Sequence, residues 1–311
     1  MLRAGVVCLL LAGCFAPQPA TGIPCADPGA TARCPEGLVC VAHGGIETCE
    51  RAGGDPDPTD GAPDVPAADD ADGDGVADAV DNCAERANSD QSDEDSDKIG
   101  DVCDPCPISS DHSDSDGDGV PNTCDPSSIN QDHIALFVSF ASGLPAGWSA
   151  ENATASNGSA TLTAALDEGA YLALPAPDAS FIAIWAQATF DAFAGTTLAG
   201  MGVMDRRSPG LDNSIACQLT AAADGATQKL RLYDSNAGTT LGQADHELKV
   251  GTTTILRLTR EANGVQHRCS ASAPSATLGA STSFMPPDPQ LGLRVRSGTA
   301  RYHWIMVLTR P

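Results

Sequence analysis

Asp70-x-Asp72-x-Asp74-Gly75-Val76-x-Asp78-x-x-Asp81 is the first of three aspartate ladders between residues 69 and 125, each locked to cysteines. The second reads Asp93-x-Asp95-x-Asp97-Lys98-Ile99-x-Asp101-x-Cys103-Asp104, and the third Asp114-x-Asp116-x-Asp118-Gly119-Val120-x-Asn122-x-Cys124-Asp125. In each, side-chain oxygens fall at positions 1, 3, 5, 9 and 12 of a twelve-residue loop. Position 7 offers a backbone carbonyl, from Val76, Ile99 or Val120. A hard cation such as calcium needs this oxygen-ligand spacing. The candidate calcium ligands are therefore Asp70, Asp72, Asp74, Val76, Asp78 and Asp81, then Asp93, Asp95, Asp97, Ile99, Asp101 and Asp104, then Asp114, Asp116, Asp118, Val120, Asn122 and Asp125.

Carboxylates at i, i+2 and i+4 converge only where the chain wraps around a point. Glycine at position 6 permits the sharp turn, because it reaches positive φ without a steric cost. Gly75 and Gly119 fill that place, whereas Lys98 is forced into a less comfortable conformation. The apolar side chains at position 7 read as small hydrophobic anchors. Position 12 is aspartate each time, and no amphipathic helix flanks the loops, so these are not helix-flanked EF-hands.

The pattern resembles thrombospondin type 3 repeats over residues 69–126. The likeness rests on the Asp-x-Asp-x-Asp-Gly runs, Asp81-Asn82-Cys83, Asn88-x-Asp90-Gln91 and Gly100-Asp101-x-Cys103-Asp104. Lys98, a missing proline after Cys83, and Asn122 at position 9 depart from it. The resemblance implies disulfides pairing Cys83 with Cys103 and Cys106 with Cys124.

The chain has 41 acidic and 17 basic residues, a net charge of −24. Residues 55–125 hold 23 of those acids against 2 basic residues, so one segment carries nearly all the charge. The remainder is electrostatically ordinary, which excludes nucleic acid as a partner. Neighbouring ladder carboxylates about 6–7 Å apart repel by roughly 0.6 kcal/mol per pair in water, and by more when desolvated. Bound divalent cations reverse that sign, so metal binding becomes folding energy. An acidic disordered tail would need neither the period nor the cysteines.

Residues 1–13 (MLRAGVVCLLLAG) combine one arginine with a short apolar run, too short to span a bilayer, and read as an export signal. Leu11-Ala12-Gly13-Cys14 resembles a bacterial lipoprotein signal, which implies cleavage before Cys14 and acylation of that residue. Several acyl chains give stable anchoring. Phe15 after the anchor favours the outer membrane, by the same resemblance. The implied location is the cell envelope, anchored to the outer membrane or at the cell surface.

Ten of the 12 cysteines remain after Cys8 and Cys14 are set aside, an even number that favours disulfides in an exported chain. Cys25, Cys34, Cys40 and Cys49 lie in a small disulfide-rich module, residues 14–50, with three possible connectivities. A Pro/Asp-rich linker, residues 51–68, follows it. Cys217 and Cys269 fall in two strand-like segments, Ser214–Thr220 and Val265–Ala271, and are expected to pair. That bridge closes a loop of about 53 residues and is worth roughly 4 kcal/mol.

Residues 133–311 alternate short apolar runs with turn clusters. Candidate strands are Ile134–Phe140, Ala160–Leu166, Tyr171–Leu174, Phe181–Phe190, Leu198–Met204, Ser214–Thr220, Gln228–Tyr233, Thr253–Thr259, Val265–Ala271, Leu291–Arg296 and Tyr302–Leu308. Ala262-Asn263-Gly264 suggests a hairpin turn. The expected fold is mostly β: a C-terminal antiparallel β-sandwich (jelly roll), preceded by irregular calcium-wrapped, disulfide-linked repeats. The domain resembles concanavalin A/laminin-G-like jelly rolls through Phe140-x-x-Gly143-x-Pro145-x-Gly147-Trp148, the cysteine-bearing strand pair, and a final aromatic-apolar strand ending at Leu308.

No catalytic residue is assigned. Glycosidic cleavage needs two carboxyl groups at a defined separation, and the nearest pair, Asp245-x-Glu247, lies in a turn-like segment. The histidines show no metal-ligand spacing. Trp148, Trp185 and Trp304 read as packing residues. The expectation is a calcium-binding surface lipoprotein whose stiffened spacer presents a β-sandwich head to glycans or surface proteins. A glycan hydrolase or lyase on the same fold, or a purely structural envelope protein, are the alternatives.

Overall fold

The computed structural model describes the backbone of three short strands within residues 1–69, and residues 70–310 apart from 157, 196–197, 209–212, 226, 252, 262–265, 273–274 and 283–288. The chain divides into two compact units, Met1–Ala67 and Ala68–Pro311. In the first, β1 (Ile23–Pro24), β2 (Leu38–His43) and β3 (Ile46–Arg51) form an antiparallel sheet in the order β1-β3-β2. Cys40 and Cys49 stand opposite each other in its register. The signal and its Cys14, the linker 51–68, and the pairing of Cys25, Cys34, Cys40 and Cys49 lie outside the described residues, as does the Ala262-Asn263-Gly264 turn.

The second unit begins with the three ladders, which form turns and bends without helix or strand, and ends in two antiparallel sheets. The seven-stranded sheet contains β5 (Ser149–Glu151), β8 (Gly169–Pro175), β10 (Leu198–Arg207), β11 (Ile215–Ala222), β12 (Gln228–Asp234), β13 (Thr239–Asp245) and β17 (Gln290–Arg296). Its order is β13-β12-β11-β10-β17-β8-β5. The eight-stranded sheet contains β4 (His133–Val138), β6 (Ala153–Ser156), β7 (Ser159–Thr163), β9 (Phe181–Phe193), β14 (Thr253–Arg260), β15 (Gln266–Ala271), β16 (Ala276–Ser281) and β18 (Gly298–Arg310). Its order is β16-β15-β14-β9-β18-β7-β6, with β4 added on β18. Every expected strand is present. β5, β6, β13 and β16 are not among the expected strands: they are short or edge strands whose residues are half-buried or exposed, and the alternation in β6 and β16 is carried mostly by alanine, a weak apolar signal.

Period-two alternation sends one set of side chains between the sheets. Leu162, Leu172, Ile184, Phe190, Met201 and Leu293 are among the buried residues of that core. Cys217 on β11 bonds to Cys269 on β15, so this disulfide ties the sheets together through the core. Tyr302 of β18 also crosses it. Its hydroxyl, which has one proton to donate, lies 2.7 Å from the Arg294 carbonyl and 2.9 Å from the Gly202 carbonyl, and accepts from the Gly202 amide at 2.9 Å. Burial pushes the Tyr302 phenol far above its ordinary value. Asp205, fully buried at the end of β10, is ion-paired with Arg260 at 3.0 Å and lies within hydrogen-bonding distance of His267 Nε2, at 3.2 Å.

A second hydrophobic cluster lies on the other face of the eight-stranded sheet. Cys106, Val120 and Cys124 of the third ladder pack there against Phe181, Trp185, Trp304, Met306 and Leu308. β9 is therefore buried on both faces over Phe181–Ala186 and shows no alternation there. The third repeat is thus also a covering layer of the sandwich.

Candidate metal centre

The three ladders repeat one backbone design. The position-1 carboxylate accepts from the amides of positions 4 and 6: Gly73 (2.9 Å) and Gly75 (3.1 Å) on Asp70, Ser96 (2.7 Å) and Lys98 (3.0 Å) on Asp93, Gly117 (2.8 Å) and Gly119 (2.9 Å) on Asp114. Position 5 accepts from the amide of position 7: Val76 on Asp74 (2.8 Å), Ile99 on Asp97 (2.8 Å), Val120 on Asp118 (2.7 Å). Position 9 accepts from position 2: Ala71 on Asp78 (2.9 Å), Glu94 on Asp101 (2.9 Å), Ser115 on Asn122 (3.2 Å). Positions 4 and 6 both have positive φ: 77° and 94° at Gly73 and Gly75, 76° and 93° at Gly117 and Gly119, but 65° and 79° at Ser96 and Lys98. The second loop adopts the same path without glycine, so the strain expected at Lys98 is present and Ser96 shares it.

Ladder positions 1, 3 and 5 converge. Asp70/Asp72/Asp74, Asp93/Asp95/Asp97 and Asp114/Asp116/Asp118 each bring one oxygen per residue within 4.8 Å of the others. The fit to a cation shows in their orphaned acceptors. Oδ2 of Asp72, Oδ2 of Asp95 and both oxygens of Asp116 are buried with no protein partner, and such atoms are costly unless a ligand satisfies them. Burial raises the Asp72, Asp95 and Asp116 carboxyls, and neighbouring ladder charges add to it. The amides of Gly119 and Gly117 lower Asp114.

In the second and third ladders, position 12 belongs elsewhere. Asp118 and Asp125 cluster with Asp132, and Asp97 and Asp104 with His112, whose Nε2 lies 3.1 Å from Asp97 and 3.4 Å from Asp104. This differs from the single twelve-residue cage read from the spacing: position 5 is shared between two oxygen groups, and position 12 turns to the second. Asp132 donates its amide to Asp118 at 2.6 Å, as Asn88 does to Asp74 at 2.7 Å. Burial pushes Asp104 up to about 6, with Asp97 and Asp95 adding to the rise. Asp125 rises to about 6 from burial, with Asp118, Asp132 and Asp116 adding. The ligand spacing alone gives no place at the ladders to Asn88, His112 or Asp132; the seven-residue steps 74-81-88 and 118-125-132 are the signal that finds two of them.

Neutral groups and disulfides brace the turns. Asn88 Nδ2 donates to Asn82 Oδ1 at 2.7 Å, and Gln91 Nε2 to Asp81 Oδ1 at 2.8 Å. Cys83–Cys103 and Cys106–Cys124 are bonded as the repeat pattern implied. A Cβ on Gly100 would lie 2.4 Å from Asn82 Oδ1 and 2.6 Å from the Cys83 sulfur, so only glycine fits beside that bridge. Val120 alone of the position-7 anchors is fully buried. Asp132 joins the ladders to the sandwich by a two-pronged ion pair with Arg310 of β18, at 2.9 and 2.8 Å. Asp245 and Glu247, the nearest candidate for a catalytic pair, are bonded to Lys229 and Lys249 at the surface.

The model of the thrombospondin type 3 repeat family matches residues 59–91 and 92–127. The ladders are such repeats, and they bind calcium. No curated relative matches the chain. Among solved structures, the Emp47p carbohydrate recognition domain is 13% identical at TM-score 0.41, over 54% of this chain and 90% of that one. The winged bean acidic lectin complexed with methyl-α-D-galactose is 11% identical at TM-score 0.42, over 53% and 93%. Bacteroides ovatus xyloglucan PUL GH43B is 15% identical at TM-score 0.44, over 55% and 38%.

Proposed function

We propose that this chain, with its calcium-binding thrombospondin type 3 repeats, is a surface lipoprotein whose β-sandwich is an adhesive head for glycans or surface proteins. Its three described disulfides belong to an oxidising compartment outside the cytoplasm. A lipid on Cys14 tethers it to the outer membrane. Calcium is held by the ladder aspartates, with the position-7 carbonyls contributing, and cancels the repulsion among them.

One observation carries the reading: the third repeat and the head share a hydrophobic cluster in which Trp304 is 1% exposed. Calcium that orders this repeat also orders one face of the head, so the head is presented only when the repeats are loaded. Binding, without turnover, fits the surface pairing of Asp245 and Glu247 with lysines. The test is a glycan and cell-surface binding screen of the calcium-loaded protein, with reaction products assayed in parallel. Retention without product supports the reading. Product formation lost in Asp245→Asn or Glu247→Gln replaces it with an enzyme. Cys14→Ala is expected to release the protein from membranes, and continued membrane fractionation rejects the anchor.

A further inference from the structure

The face of the seven-stranded sheet turned away from the core gathers Arg207, Arg231, Arg294 and Arg296, four of the chain's 17 basic residues. Alternation fixes their side. Leu230, Leu232, Leu293 and Val295 enter the core, so Arg231, Tyr233, Arg294 and Arg296 face outward. Register sets them in rows. Arg294, Gly202, Gln218 and Arg231 lie opposite one another across β17, β10, β11 and β12; Arg296, Gly200, Thr220 and Lys229 form the next row. Three strand spacings separate the backbones of Arg294 and Arg231 by about 14 Å.

Between these arginines β10 contributes no side chain, only Gly200 and Gly202, beside Gln218 and Thr220 of β11. A Cβ on Gly200 would lie 2.6 Å from the Leu219 carbonyl oxygen, and one on Gly202 2.5 Å from that of Cys217. The result is a cleft of about 330 Å³, lined by Gly200, Gln218, Arg231, Tyr233, Arg294 and Arg296 among others, with Asp167 as the single acid. Lys229 is paired with Asp245, whereas the Arg231 Nε is buried without a protein acceptor. Like charges kept together in a protein of net charge −24 repel one another unless an anion comes between them.

We infer that this cleft binds a glycan carrying carboxylate or sulfate groups. Guanidinium forks match those groups in geometry and charge. Gln218 and Thr220 supply hydrogen bonds to hydroxyls, and Tyr233 supplies a face for a sugar ring. The volume suits one or two rings. The inference rests on the reading of the head as a glycan-binding domain and specifies its ligand.

The test is calorimetric titration of the full chain, in calcium-replete buffer, with tetragalacturonate, a heparin-derived tetrasaccharide and neutral cellotetraose. The first two distinguish carboxylate from sulfate. At least one is expected to bind, and cellotetraose is not. Arg231→Gln and Arg296→Gln should each weaken that binding roughly tenfold or more, with unchanged melting temperature. Arg301→Gln, on the opposite sheet and paired with Asp191, should leave it intact. Unaltered binding by the Arg231→Gln/Arg296→Gln double variant overturns the inference, because the anion is then held away from this cleft. Equal binding of cellotetraose overturns it too, while leaving the glycan-binding head in place. If none of these sugars nor any glycan of the screen binds, the reading beneath it fails as well.

Discussion

Lys98 has φ 79° where the other two ladders have glycine. A non-glycine residue in this region costs roughly 1–2 kcal/mol, and glycine returns about 0.5–1 kcal/mol of that through the entropy of the unfolded chain. Lys98→Gly is therefore expected to stabilise the calcium-saturated protein by up to about 1 kcal/mol, read from urea unfolding; a loss of stability would show that the lysine side chain contributes something else. Asp104 and Asp125, raised to about 6 by burial and neighbouring acids, set the pH dependence. Their folded-state values lie above the unfolded one, near 3.8. Their protonation therefore stabilises the calcium-free fold fully below about 4, and that contribution disappears as pH rises through about 6. Calcium needs the ionised forms. Apparent calcium affinity is expected to fall as pH drops through about 6; a calorimetric affinity constant between pH 7 and 5 would contradict this.

At the scale of elements, the interface between the third repeat and strands β9 and β18 decides how calcium is felt. Arg257 stacks over Trp185 at 4.3 Å and Arg310 over Phe181 at 4.2 Å, which seals the edge of the apolar patch. Chelation is expected to expose Trp185 and Trp304 and shift tryptophan emission to the red, while the far-ultraviolet β signal persists. An unchanged spectrum would mean that the repeat stays docked without metal. Val120→Asp puts a charge into the patch and should give the same emission shift with calcium present. Trp304→Ala removes the largest buried side chain there and is expected to cost about 3–5 kcal/mol.

For the whole molecule, Cys217–Cys269 joins the two sheets across 52 residues of sequence. Replacing both by alanine is expected to lower stability by roughly 4 kcal/mol without altering calcium binding, measured by urea unfolding and by titration. Loss of calcium affinity in that variant would show coupling from the core through to the ladders. The charge distribution has the same division. Acid is concentrated in the repeats, where cations answer it. The basic cleft lies on the seven-stranded sheet, the opposite side of the sandwich from the sheet that the third repeat covers.

The ladders and the existence of a two-sheet sandwich were legible in the sequence, because each depends on local spacing; the disulfides of the ladders followed from the resemblance to type 3 repeats. Ligand period, turn glycines and strand alternation are all set within a dozen residues. Even the covering of the head left a trace in the unalternated apolar runs of Phe181–Ala186 and Ile305–Leu308. Tertiary structure alone decided what depends on distant segments meeting: which face the third repeat covers, how Asp132 links Asp118 to Arg310, and how strand register sets Arg231, Arg294 and Arg296 around Gly200 and Gly202. Side-chain period fixes which face of a strand a residue occupies, but not which other strand lies beside it; that is determined only when the whole core packs.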